Sequence, residues 1–213
     1  MLRGLFGNKG DDGRDQVIPV VRNVTIGRSV RLDALAWRRL GSETKFRLDT
    51  DTLEIVAQGR IDLGADGFVH RFYTDDDMML QMVSSDAMGQ DANDFTLFGP
   101  WSSAYPPDGA AKRVWADRLR GRTFSDPTLP DYRRFWFGDT DERQEPVSFW
   151  ETVYDDRTGI NFRKIYQTCM LFARDLPGDG RELLLALEME PEGGDLTHEI
   201  MVGIPLNVGE FEA

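Results

Sequence analysis

In Leu53-Glu54-Ile55-Val56-Ala57-Gln58-Gly59-Arg60-Ile61-Asp62-Leu63, the apolar residues Leu53, Ile55, Ala57, Ile61 and Leu63 all fall on odd positions. Glu54, Gln58, Arg60 and Asp62 fall on even ones. Successive strand side chains point to opposite faces, so this period of two predicts a strand with one buried and one wet face. On its C-terminal side the turn Gly64-Ala65-Asp66-Gly67 leads into a strand over 68–74, and Asp75-Asp76-Asp77 turns the chain into another over 78–83. Alternating runs joined by short turns predict an antiparallel meander.

The second half carries the same signal. Strand patterns over 147–154, 160–173, 183–189 and 200–208 are separated by turns at 155–159, 177–180 and 191–194. Pro205 has no amide hydrogen to donate, which predicts an edge or a bulge in the last of these strands. Between the meanders the chain is rich in proline and aromatic residues. One amphipathic helix is expected there, Ala110–Leu119, with Val114, Trp115 and Leu119 on its apolar side and Gly121 at its end. A second short helix is expected over Ala34–Leu40, capped by Asp33. The expected architecture is mainly β, with α+β as the alternative: an antiparallel barrel or sandwich built from two meanders, with one or two short helices and a long aromatic connection. Residues 1–16, glycine-rich and charged from Gly7 onward, read as a disordered leader. Residues 17–213 read as a single β-rich domain, with a meander over 44–99, the connection over 100–146 and a meander over 147–208.

Composition excludes several chemistries. The 213 residues include one cysteine, Cys169, and two histidines, His70 and His198. That rules out an intramolecular disulfide, a cysteine-based zinc cluster and a three-histidine metal site. No catalytic set, metal site or cofactor is expected, because the chain lacks the phosphate-binding glycine patterns, the G-x-S-x-G elbow and H-E-x-x-H. The formal net charge of −12 repels nucleic acid and anionic membranes on average. It is unevenly spread, with eight basic and four acidic residues in 1–39 against one basic and ten acidic in 175–213. There is no apolar run long enough to span a bilayer and no signal-peptide core. The expected location is the cytoplasm, with peripheral contact at the inner membrane left open.

Two features weigh on a site. Asp75-Asp76-Asp77 could hold a cation, but neighbouring strand residues diverge, so a solvated turn is the simpler reading. Of 23 aromatic residues, fifteen lie between Phe95 and Tyr166. They are either a core packed beneath a long loop or a groove for a ligand. The candidate binding residues on the second reading are Trp101, Arg134, Trp136, Trp150 and His70, with arginine beside aromatic rings able to hold a ligand by cation–π contact.

The segment His70-Arg71-Phe72-Tyr73-Thr74-Asp75-Asp76-Asp77, with Leu80-Gln81-Met82 after it, resembles the YjfK-like family of bacterial proteins of unknown function. The Met1–Phe6 start, Phe98-Gly99-Pro100-Trp101 and Arg134-Phe135-Trp136 are also similar. The resemblance implies a neighbourhood of PspA-like membrane-remodelling proteins and small membrane proteins, hence a role in envelope stress; it carries over no functional residue. The leading expectation is a non-enzymatic interaction or accessory protein in a membrane-associated stress system, with such a protein as partner. The alternatives are a small-molecule or lipid-binding β-barrel, with Trp101, Trp136 and Trp150 lining the cavity, and a hydrolase using His70 with Asp75 or Asp77.

Overall fold

A computed structural model describes residues 18–33, 35, 40–138, 140–178 and 180–213. The expected leader and most of the expected Ala34–Leu40 helix lie outside the described residues. Among the described residues, twelve strands and one α-helix of defined bounds follow in chain order: β1 (Ser29–Leu32), β2 (Thr52–Asp62), β3 (Phe68–Thr74), β4 (Met79–Ser84), β5 (Asp94–Ala104), α1 (Gly109–Arg120), β6 (Thr123–Asp126), β7 (Leu129–Arg134), β8 (Val147–Tyr154), β9 (Phe162–Asp175), β10 (Arg181–Pro191), β11 (Thr197–Leu206) and β12 (Phe211–Glu212). Short 3-10 turns occupy Gly64–Asp66 and Val208–Glu210.

Two four-stranded meanders, β2-β3-β4-β5 and β8-β9-β10-β11, close on each other through β5–β11 and β2–β8 pairing. The result is an eight-stranded, wholly antiparallel barrel. That strand number gives an interior just wide enough for a filling of side chains or for one small ligand. The closing strand β8 is shorter than its neighbours. At one of its ends β1 continues the pairing of β2, and at the other β7 continues that of β9.

Two strands depart from the sequence pattern in instructive ways. In β2 the register with β3 shifts between Ile55 and Ala57, so Val56 bulges outward. One extra residue moves everything beyond it to the opposite face. Leu53 and Ile55 therefore pack in a different cluster from Ala57, although all three sit on odd positions. The first meander also has a fourth strand: β5 runs through Pro100 into the stretch read as aromatic connection. Its register with β11 slips at Trp101, which has no partner between Ser102 and Pro100. Pro205 is tolerated because β11 has parted from β10 beyond Gly203 and is paired there only with β5. α1 spans nearly the expected residues. Asp108 caps it, accepting from the Ala110 and Ala111 amides at 2.8 Å, and Gly121 ends it. Of its three expected apolar contacts, Trp115 and Leu119 are buried, whereas Val114 faces water.

The larger hydrophobic core lies outside the barrel wall. Phe72, Leu80, Met82, Phe95, Leu97, Phe172, Leu184 and Val202 point outward and are covered by Val21, Val24, Val30, Leu32 and Phe46 from the N-terminal segment, by Trp115 and Leu119 of α1, and by Phe124 and Tyr132 of the β6–β7 hairpin. Hydrogen bonds pin this covering strap. Gln58 donates to the Pro19 carbonyl at 2.8 Å, and Glu182 accepts from the Thr44 hydroxyl and the Lys45 and Phe46 amides at 2.5, 2.5 and 3.0 Å.

Candidate functional site

The opposite faces of the same strands line the barrel interior. Met79, Phe98, Cys169, Leu171, Leu183, Leu185, Leu187 and Met201 form one inner cluster, and Ala57, Val153 and Ile165 another. At the barrel's mid-height the lining turns polar. Arg71 of β3, 2% exposed, donates from Nε to Gln81 at 3.0 Å and from Nη1 to Glu151 at 3.0 Å and Gln167 at 2.7 Å. Tyr73 donates its hydroxyl to the other Glu151 oxygen at 2.7 Å, and Gln167 donates its amide to Glu151. Glu151 stretches from β8 across β2 to reach Arg71. It can do so only because residue 59 is glycine: a Cβ there would sit 1.8 Å from Glu151 Oε1. Arg71 is held firmly charged despite its burial, by Glu151 above all. The Cys169 thiol beside this cluster is pushed up to about 12 by burial, so it is no nucleophile at neutral pH.

The cluster divides the interior into two chambers. The wider one, about 1560 Å³ together with its open mouth and the adjoining outer edge of β2 and β8, opens at the end where Val69, Val83, Phe149, Leu171 and Leu183 line the wall and Trp136 stands at the mouth. The narrower one, about 730 Å³, opens at the other end among Tyr73, Met189, Met201 and Trp101. Arg71 borders both.

The five expected binding residues are not brought together. Trp136 and Trp150 stand at the wide mouth, Trp136 partly buried and Trp150 half-exposed on the outer side of β8 against Tyr166. Trp101 sits at the far end, donating to Thr128 at 3.0 Å. Arg134 lies beneath the mouth loop and donates from Nη2 to the Thr140 carbonyl at 2.9 Å. That contact holds the loop carrying Phe135, Trp136 and Phe137. The loop is strained at its tip, where Phe137 takes a positive φ of 64°. His70 is fully buried on the outside of the wall with neither ring nitrogen in a well-formed hydrogen bond, and burial lowers its pKa. Asp75 and Asp77 are exposed in the turn beyond Thr74, and Asp77 borders the narrow chamber, on the other side of the wall from His70. The His70–aspartate pairing of the hydrolase reading is not assembled.

The residues that sequence reasoning missed are Arg71, Glu151, Gln167 and Gln81. Their signal was available: Arg71, Gln81, Glu151 and Gln167 each interrupt a run of apolar side chains on one face of their strand. No helix among the described residues is long and apolar enough to cross a membrane. No curated protein and no solved structure matches the chain. The family model for a protein of unknown function, DUF2491, matches residues 1–212, in keeping with the YjfK-like resemblance. The chain belongs to the DUF2491 family.

Proposed function

We propose that the protein binds a small apolar or amphipathic molecule in the wide chamber of its barrel. The observation that carries this reading is the chamber itself: a space that reaches about 1560 Å³ with its open mouth, lined inside the barrel by Val69, Val83, Phe149, Leu171 and Leu183, rimmed by charged side chains and floored by Arg71, which is paired with Glu151. A barrel stabilised only by its interior would fill that space with side chains. Exposed Phe135, Phe137 and Trp150 at the mouth give an apolar solute a first contact. The test is titration with the uncharged dye Nile red. Saturable fluorescence enhancement is expected, and Leu183→Trp, which fills the chamber, is expected to weaken it at least about tenfold. Absence of saturable binding, or equal binding by the filled variant, sinks the proposal.

The accessory role in a membrane-associated stress system rests on the family resemblance and the uneven charge. The same three exposed aromatic residues favour it as a second reading. Affinity purification from native cells tests it: a PspA-like protein is expected to copurify with the wild-type chain and to be lost with Phe137→Ser/Trp150→Ser.

A further inference from the structure

Resting on the ligand-binding reading, we infer that the ligand is an uncharged amphiphile that enters polar end first, its hydrogen-bond acceptor meeting the Gln81 amide and the Thr96 hydroxyl at the chamber floor. Arg71, Gln81 and Thr96 are cross-strand neighbours on β3, β4 and β5, and all three line the wide chamber. Arg71 spends Nε and Nη1 on protein acceptors and also has the Tyr73 hydroxyl as a hydrogen-bond partner, so the free donors of this row are those of Gln81 and Thr96. Gln81 accepts from Arg71 through Oε1, and its amide nitrogen has no protein partner among the described residues. The Thr96 hydroxyl, in a side chain almost wholly buried, has no protein partner among the described residues. Donors held in an apolar enclosure favour a group that accepts hydrogen bonds, such as an ester or amide carbonyl.

Charge decides between a neutral acceptor and an anion. Glu151 already neutralises Arg71 at 3.0 Å, so a carboxylate beside them would leave one uncompensated negative charge inside the barrel. The mouth repeats the bias: Asp62, Asp66, Asp94 and Asp175 border the chamber against Arg60 and Arg181. A free fatty acid is therefore opposed on entry and at the floor, whereas its amide or glyceryl ester is not.

The experiment is displacement of Nile red from the full-length protein at about pH 8 by decanamide, 1-monodecanoylglycerol and decanoate, which share one chain and differ at the head. The two uncharged compounds are expected to displace the dye at concentrations at least about tenfold below decanoate. Gln81→Leu removes one free donor and the acceptor of Arg71 Nε, yet leaves the Arg71–Glu151 pair. It is expected to raise the concentration of decanamide needed to displace the dye at least about threefold, with the dye itself still bound. Decanoate competing as well as decanamide overturns the head-group assignment and leaves the binding chamber standing. Displacement by decanamide unchanged in Gln81→Leu, with the dye bound normally, overturns the placement of the head at this row. Failure of Nile red itself to bind removes the chamber reading and this inference with it.

Discussion

The two faces of the barrel wall differ in how fully they are packed. Over most strands the outer face is a hydrocarbon core sealed by the N-terminal segment, α1 and the β6–β7 hairpin, with the buried Arg174–Glu182 pair in the same layer; on β8 it is open to water at Trp150. The inner face surrounds two chambers and carries a buried ion pair at their boundary. Stability and binding are thereby assigned to different sides of the same strands, so the interior is free to stay partly empty. A packed outer layer supplies what a hollow barrel gives up, because burial stabilises in proportion to the apolar area removed from water wherever that area lies.

The ion pair gives the largest test of this division. Arg71→Ala or Glu151→Ala leaves one charge buried and unpaired, and each is expected to cost about 3–5 kcal/mol in chemical denaturation. Arg71→Met/Glu151→Leu removes both charges and is expected to recover most of that loss. A double variant as unstable as either single one would mean that the inner face, too, is needed to hold the fold.

Leu183 and Leu184 give the sharpest test, being the same residue type at adjacent positions of β10 and on opposite faces. Leu184→Ala empties space in a sealed core and is expected to cost about 3–5 kcal/mol. Leu183→Ala enlarges a chamber that already exists, so only the transfer contribution is lost, about 2 kcal/mol. Equal losses in thermal or denaturant unfolding would erase the distinction between the faces.

The smallest effect concerns the strap. Burial works against the charge on Glu182, but hydrogen bonds from Thr44, Tyr132, Arg174 and the Phe46 amide together hold its pKa below the ordinary 4.5. A carboxylate depressed on folding stabilises fully above the unfolded pKa, and that contribution is lost as pH falls through the folded value. Glu182→Gln is expected to cost about 1–3 kcal/mol at neutral pH and to flatten the loss of stability below about pH 4.5. An unchanged acid limb in the variant would show that the strap is held by packing alone.

The meanders were legible in the sequence because alternation is a local property: Leu183–Met189 and Ile200–Leu206 form strands where their period places them. What stayed hidden depends on register and on partners far along the chain. Alternation in Leu53–Leu63 could not reveal that the bulge at Val56 divides its apolar residues between two clusters, since the pattern reads the same with or without it. Pro100–Ala104 read as the start of the aromatic connection, yet it continues β5 and pairs with β11. The candidate site suffered most. Tryptophans drew attention by their rarity, whereas the floor is made of ordinary polar residues on β3, β4, β8 and β9. Only closure of the barrel brings Arg71 to Gln167, 96 positions away.

The outward kink at Val56 also has a mechanical consequence. Ahead of it β2 anchors the wrapping segment through β1; behind it the same strand supplies Ala57 and the gap at Gly59 that admits Glu151. Any pull on the wrapping segment is therefore delivered along one continuous backbone to the partition between the chambers. Deleting Val56 would swap the loyalties of Leu53 and Ile55, thrusting two greasy side chains into the hollow and stripping the wrapper of its grip in a single stroke.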